Sequence, residues 1–215
     1  MRENVMSSKS ISSRVAMGVL RSALASVALL LAVRNEAIAW VIEPTTIGGL
    51  RSFNDGATVI PLDFAAIKNF PSLQDRTIAN FDISGLPPGA RRGAAMVATL
   101  KIPIYNDYPY PLHYNGAPHA GTLDLYVFAG NGAVAADQWN AGSLLHTFSL
   151  TDGVQTLSLD MTSTLHQFMH EGATFVSFSL RGRAGDRYVL TPFWNGFPVK
   201  GTLLPNPSIT ISPIP

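Results

Sequence analysis

Across residues 96–104 every second position is apolar. Met96, Ala98, Leu100, Ile102 and Ile104 share one side, and Val97, Thr99, Lys101 and Pro103 share the other. A period of two with one apolar side is what a half-buried antiparallel strand requires. The pattern recurs along the chain. Ala79, Phe81 and Ile83 alternate with Asn80 and Asp82, and Leu123, Leu125 and Val127 alternate with Thr122, Asp124 and Tyr126. Val176, Phe178 and Leu180 alternate with Phe175, Ser177 and Ser179, while Leu157 and Leu159 flank Ser158. Shorter strand candidates lie at 57–60, 144–150, 188–190 and 208–211. Turn sequences punctuate them: Asn54-Asp55-Gly56, Gly130-Asn131-Gly132, Asp152-Gly153 and Gly185-Asp186. Many short strands at such spacing form a sandwich or a barrel. One short helix is expected over 161–170, capped by Asp160 or Thr162, with Leu165, Phe168 and Met169 inward.

Residues 76–90 read RTIANFDISGLPPGA, a strand that ends in a Gly-Leu-Pro-Pro-Gly turn and leads into the next alternating segment. LDMTSTL follows from Leu159 and FVSFSLRG from Phe175. In wording and order these pieces resemble bacterial cell-surface jelly-roll domains of the DNRLRE type, some of them related to carbohydrate-binding modules. The resemblance covers roughly residues 60–190. It implies a non-catalytic β-sandwich at the cell surface. Two departures stand out. Residues 40–70 show no tidy opening strand, and residues 191–215 form a proline-rich tail containing Phe193, Trp194 and Phe197. The expected fold is therefore all-β, an antiparallel, jelly-roll-like β-sandwich with one short helix, preceded by a signal peptide. Residues 1–39 are the signal and residues 40–215 a single domain, with the tail from about 191 to 215.

The leader is read from its layout. Arg2, Lys9, Arg14 and Arg21 precede an apolar stretch at 22–33, and Ala37-Ile38-Ala39 offers small residues for cleavage before Trp40. The apolar stretch falls short of the roughly twenty residues that span a bilayer as a helix. Arg34 and Glu36 lie close to the cut, which leaves an uncleaved anchor open. Once the signal is cleaved, no membrane span is expected. The chain has no cysteine, which excludes disulfides, thiolate metal sites and a lipid anchor on an N-terminal Cys. Beyond residue 39 there are ten Lys/Arg against twelve Asp/Glu, so the full chain's net +1 becomes −2. No basic stripe remains to neutralise phosphates, so nucleic acid is not an expected partner.

The segment YNDYPYPLHYNGAPHAG, residues 105–121, is the richest in binding chemistry. Aromatic rings stack on the C–H faces of sugars, while amides and carboxylates meet the hydroxyls, and a loop on a rigid scaffold can supply both. Tyr105, Tyr108, Tyr110, Tyr114 and Trp139 are the candidate stacking platforms, with Asn106 and Asp107 as hydrogen-bonding companions. The bland alternative also stands: the tyrosines pin a long loop onto the sandwich, and Trp139 and Trp194 are core residues. His166 and His170 lie four apart beside Glu171, but Gln167 occupies the place of a catalytic glutamate and no third ligand is identifiable. Asp75, Asp107, Asp137 and Asp186 sit singly in separate turns. Calcium would need their loops to converge, and no cofactor or metal is assigned. Glu43 and Glu171 are the only glutamates after residue 39, and no nucleophile elbow, phosphate loop or dinucleotide fingerprint occurs. No catalytic residue is assigned. Serines 177 and 179 read as ordinary exposed strand positions, Asp82 as an outward or turn-stabilising residue, and His146 as a packed or edge histidine. The expected function is non-enzymatic: a secreted or cell-surface sandwich binding an extracellular ligand, with polysaccharide favoured. The alternative is a structural or surface-assembly protein that contacts other envelope or matrix proteins through its apolar sheet faces and tail.

Overall fold

The structure, a computed structural model, describes residues 39–53, 56–62, 67–70, 72–86, 96–106, 121–150, 153–183, 188–190, 198–199, 202–203 and 205–214. Residues 1–38, all but the last of the segment 1–39 read as a signal peptide, lie outside them. Among the described residues the early strands are β1 (Trp40–Ile42), β2 (Thr46–Phe53), β3 (Thr58–Leu62), β4 (Ile67–Phe70) and β5 (Leu73–Asp82). They are followed by β6 (Met96–Asn106), β7 (Thr122–Gly130), β8 (Ser143–Ser149), β9 (Gly153–Asp160) and β10 (Phe175–Gly182). The last are β11 (Tyr188–Leu190), β12 (Pro198–Val199), β13 (Thr202–Leu203) and β14 (Ser208–Pro213). A helix, α1 (Thr162–His170), and a 3-10 turn at Ala136–Asn140 complete the set.

Two antiparallel sheets make an all-β sandwich. The small sheet runs β1-β14-β6-β9. In the large sheet the spatial order is β3-β2-β5-β10-β7-β8. β4 pairs the opening residues of β5 on the edge that β10 takes further along, and β11 pairs β4. The alternation seen in the sequence explains how the two sheets meet. Met96, Ala98, Leu100, Ile102, Ile104, Ile209 and Ile211 come from the small sheet, and Ala79, Phe81, Leu123, Leu125, Val127, Val176, Phe178 and Leu180 from the large one. All belong to one buried cluster. Phe81 and Phe178 meet edge to face, ring centres 5.6 Å apart, the geometry that aromatic quadrupoles favour. Pro103 falls where β6 has β9 on one edge and β14, whose pairing stops at Lys101, is no longer on the other. A missing N–H is tolerated at such a place.

The region 40–70, unpromising as sequence, holds four strands. β2 pairs with β5 from Thr46↔Asn80 to Phe53↔Leu73. Its Gly48-Gly49 pair interrupts the side-chain pattern without interrupting the backbone ladder, and so hides the strand from a reading of periodicity. The segment assigned to the tail ends in β14, which lies between β1 and β6 and buries Ile209 and Ile211. The 208–211 candidate is therefore a core strand.

On β8, a register shift opposite Leu125/Tyr126 turns Leu145 toward the core and leaves Leu144 out. His146 stays exposed on this edge strand and stacks on Phe148, centres 6.4 Å apart.

α1 caps one end of the sandwich. Leu165 is buried, with Phe168 and Met169 half-buried against the core. The Asp160 carboxylate accepts the Thr162 N–H at 2.8 Å, and this pairing with the Thr162 hydroxyl and N–H holds its pKa below the ordinary carboxylate value. Thr162 Oγ1 in turn accepts the Ala98 N–H at 3.0 Å and ties the helix start to β6. At the other end Gly172 adopts φ +80° while the Ala173 N–H reaches back to the Phe168 carbonyl at 2.9 Å. Such left-handed closure favours glycine.

Candidate functional site

The tyrosine segment starts at the end of β6 in the small sheet and ends at the start of β7 in the large one. The backbones of Tyr105 and Asn106 pair with Val154 and Gly153. The side chains of Tyr105 and Asn106 lie outside the described residues, as do Asp107, Tyr108, Tyr110 and Tyr114 entirely. Trp194, Asp186 and the turns at 54–55, 151–152 and 184–187 lie outside them as well.

Trp139 is described, and its setting is not an open platform. The ring is 6% exposed and packs with Leu50, Ile78 and Phe128 on the outer face of the large sheet. The Arg76 guanidinium lies over it, 3.6 Å from the ring centre. Trp139 is carried by the strap formed by residues 131–142, which crosses that outer face and presses the ring onto it. The strap is fixed by hydrogen bonds suited to its sequence. Asn131 Oδ1 accepts the Ala133 N–H at 3.1 Å, and the Gln138 side-chain oxygen accepts the Ala135 N–H at 3.1 Å. The sheet reaches up to meet it: Thr46 Oγ1 donates to the Gly132 carbonyl at 2.8 Å, and the Asn80 amide to the Ala133 carbonyl at 3.2 Å.

Under the strap, Ser177 donates to the Asn80 side-chain oxygen. Asn80, Ser177 and Ser179 are all buried. The expectation of exposed serines is thus corrected: under the covering strap Asn80, Ser177 and Ser179 are out of water, and each of the three finds a partner. A Cβ on Gly130 would fall 1.8 Å from Ser177 Oγ, so the close approach of β7 to this pair requires glycine at 130.

The same outer face carries two arginines. Antiparallel pairing of β10 with β5 runs to Leu180↔Thr77, which makes Arg181 and Arg76 the next residue on each strand, close enough for their charges to act on each other. Arg76 Nη1 donates to the Trp139 carbonyl and, at 3.4 Å, to Asn140 Oδ1. Arg181 lies over the Tyr126 ring at 3.8 Å; its Nε donates to Ser179 at 3.1 Å and its Nη2 to the Ala141 carbonyl. Burial, reinforced by the charge of Arg181, pulls Arg76 down to about 9. Burial also lowers Arg181, against the opposing pull of Tyr126 and Asp124. Like charges directly opposite in a sheet destabilise it. The fold therefore holds two guanidinium charges together at a cost.

Asp82 accepts the Ser84 N–H at 2.7 Å and so stabilises its turn. Asp75 is buried and held by Arg51 through two 2.8 Å contacts, which raises the arginine's pKa. Asp137 lies exposed in the first turn of the 3-10 segment. Beside the two helix histidines, Gln167 donates to Glu171 at 2.9 Å. Among the described residues no three His, Cys, Asp or Glu side chains converge as metal ligands, and no helix is long and apolar enough to cross a membrane. No protein-family model and no curated protein matches the chain.

The arginine pair had a faint trace in the sequence. Arg76 opens RTIANF and Arg181 is the last but one residue of FVSFSLRG, each at the polar parity of its strand. Only the register places one across from the other.

Proposed function

We propose that this protein is a secreted, non-catalytic β-sandwich that binds an extracellular polysaccharide through the aromatic segment at residues 105–121. The supporting observation is one of connection. That segment joins the end of a small-sheet strand to the start of a large-sheet strand, so both its roots are anchored in rigid ladders. Binding loops work from such scaffolds. Tyr105, Tyr108, Tyr110 and Tyr114 supply stacking surfaces, and Asn106 and Asp107 supply hydrogen bonds. The resemblance to cell-surface jelly-roll domains agrees with this address. Retention of the purified protein on a panel of immobilised polysaccharides tests it. Tyr108→Ala with Tyr110→Ala should weaken retention at least tenfold at unchanged Tm. Equal retention of parent and variant would remove the segment from the function.

A second reading, surface assembly, draws on the edge strands. β1 ends the small sheet and leaves Trp40 37% and Val41 61% exposed, and Leu144 on β8 is 51% exposed. Unpaired apolar edges invite strand addition. Concentration-dependent growth in particle mass by light scattering, abolished by Val41→Lys, would favour assembly. A monomer at all concentrations would end that reading.

A further inference from the structure

We infer that Arg76 and Arg181 form a binding site for a divalent tetrahedral oxyanion of the sulfate or phosphate class, on the outer face of the large sheet. This goes beyond the polysaccharide reading and does not depend on the tyrosine segment.

Charge is the first argument. The nearest carboxylate in the row is Asp124, the cross-strand partner of Arg181. It is already engaged: Thr147 donates to its Oδ1 at 2.6 Å, and Arg183 approaches its Oδ2 at 3.6 Å. Among the described residues neither Arg76 nor Arg181 has a carboxylate within ion-pair distance. Two adjacent positive charges are thus left over, and one dianion neutralises both. A monovalent carboxylate would leave one charge unmatched.

Donor geometry is the second. A guanidinium offers five N–H groups in a rigid fork. Holding the strap uses Nη1 of Arg76 and Nη2 of Arg181, while Nε of Arg181 is engaged by Ser179 on its own strand. Among the described residues, Nε and Nη2 of Arg76 and Nη1 of Arg181 have no acceptor. They are not sealed in, because among the described residues the only buried side-chain N or O atom without a partner is Ser52 Oγ. Open donors on two preorganised forks suit an anion with several oxygens.

Rigidity is the third. Arg181 is only 8% exposed, and each guanidinium is laid on an aromatic ring, Trp139 or Tyr126, and tied to a strap carbonyl. If the arginines only tethered the strap, placing them opposite each other would add repulsion for no gain. An anion between them turns that repulsion into affinity.

The test uses the purified full-length protein at constant ionic strength. Sodium sulfate, phosphate and chloride are titrated at millimolar concentrations, with Tm and isothermal calorimetry as readouts. Saturable binding of sulfate or phosphate is expected, with no saturable response to chloride. Arg76→Lys and Arg181→Lys keep the charge but lose the fork, and each should weaken binding at least tenfold. Arg183→Gln, on the neighbouring exposed cation, should leave it unchanged. A parent protein with no saturable response overturns the site, whatever the variants do. An Arg183→Gln variant that loses binding as fully as the lysine variants overturns it too, by reducing it to general surface charge.

Retention on dextran sulfate compared with dextran then identifies the source. Arginine-dependent retention of the sulfated polymer alone points to an ester on a glycan, and a response to the free ions alone points to a free oxyanion. Sulfate binding that survives Tyr108→Ala with Tyr110→Ala upholds this site even where the polysaccharide reading fails.

Discussion

Phe81 and Asn80 are neighbours on β5, both fully buried, and they point to opposite sides of the same sheet. The inner side is hydrocarbon against hydrocarbon, from Phe81 and Phe178 across to Leu100 and Ile102. The outer side is a layer of amides, hydroxyls and guanidinium groups under a strap, with a small apolar cluster around Trp139. Burial on the inner side stabilises by area, about 25 cal/mol per Å², and tolerates imperfect partners. The outer side gains only about 1 kcal/mol net per hydrogen bond, but leaving a buried group unpaired costs about 1–3 kcal/mol. The difference teaches a division of labour: the inner face makes the fold stable, and the outer face makes one arrangement of the strap the right one.

The comparison can be broken most forcefully from the inside. Phe81→Ala should lower stability by about 3–5 kcal/mol, read from urea unfolding. A loss under 1 kcal/mol would mean that the two sheets do not meet as described. On the outer side, Gly130→Ala drives a methyl into Ser177 Oγ and should cost about 1–3 kcal/mol. Adding Ser177→Ala should recover part of that loss. If the double variant is worse than the sum of the singles, the close approach of β7 is not the cause. At the exposed rim Leu144→Ser should change stability by no more than about 0.5 kcal/mol. A larger drop there would show that Leu144 is covered in solution.

The smallest expected effect concerns neither face. The folded pKa of Asp160 is depressed, so its support of α1 is complete above the unfolded carboxylate pKa and is lost as pH falls through the lower folded value. Protection of the Thr162 amide, measured relative to its intrinsic exchange rate at each pH, should fall through that acidic window, and Asp160→Asn should remove this change. Protection that is constant with pH in the parent would show that the carboxylate does not hold the helix start.

How far the sequence could be read divides along the same line. The inner face was legible because alternation reports burial directly: Met96 through Ile104, Phe81, Ile83, Val176 and Phe178 all pack where their parity places them. So was α1, with Leu165, Phe168 and Met169 turned inward. The outer face was not legible, because a polar side chain looks the same in sequence whether water or a strap covers it. Ser177 and Ser179 read as exposed for that reason. β2 was hidden by Gly48-Gly49, which carry no side-chain signal. The facing of Arg76 and Arg181 depends on strand register across about a hundred residues of chain, and no local pattern encodes register between distant strands. The tyrosine segment stands as the sequence left it, a chemical argument carried on two well-rooted strands.

One pairing also bears on how the chain reaches this state. Among the described residues β1 pairs only with β14, with Trp40 opposite Ile211. A contact so distant along the chain closes a loop of nearly the whole domain, and such contacts form late and slowly. Until the final strand is released, β6 lacks a neighbour on one edge, and its apolar row from Met96 to Ile104 waits without a finished roof. A chain that emerges from its N-terminal side therefore lacks this neighbour until residues 208–213 follow, and is most prone to aggregation in the interval before they do.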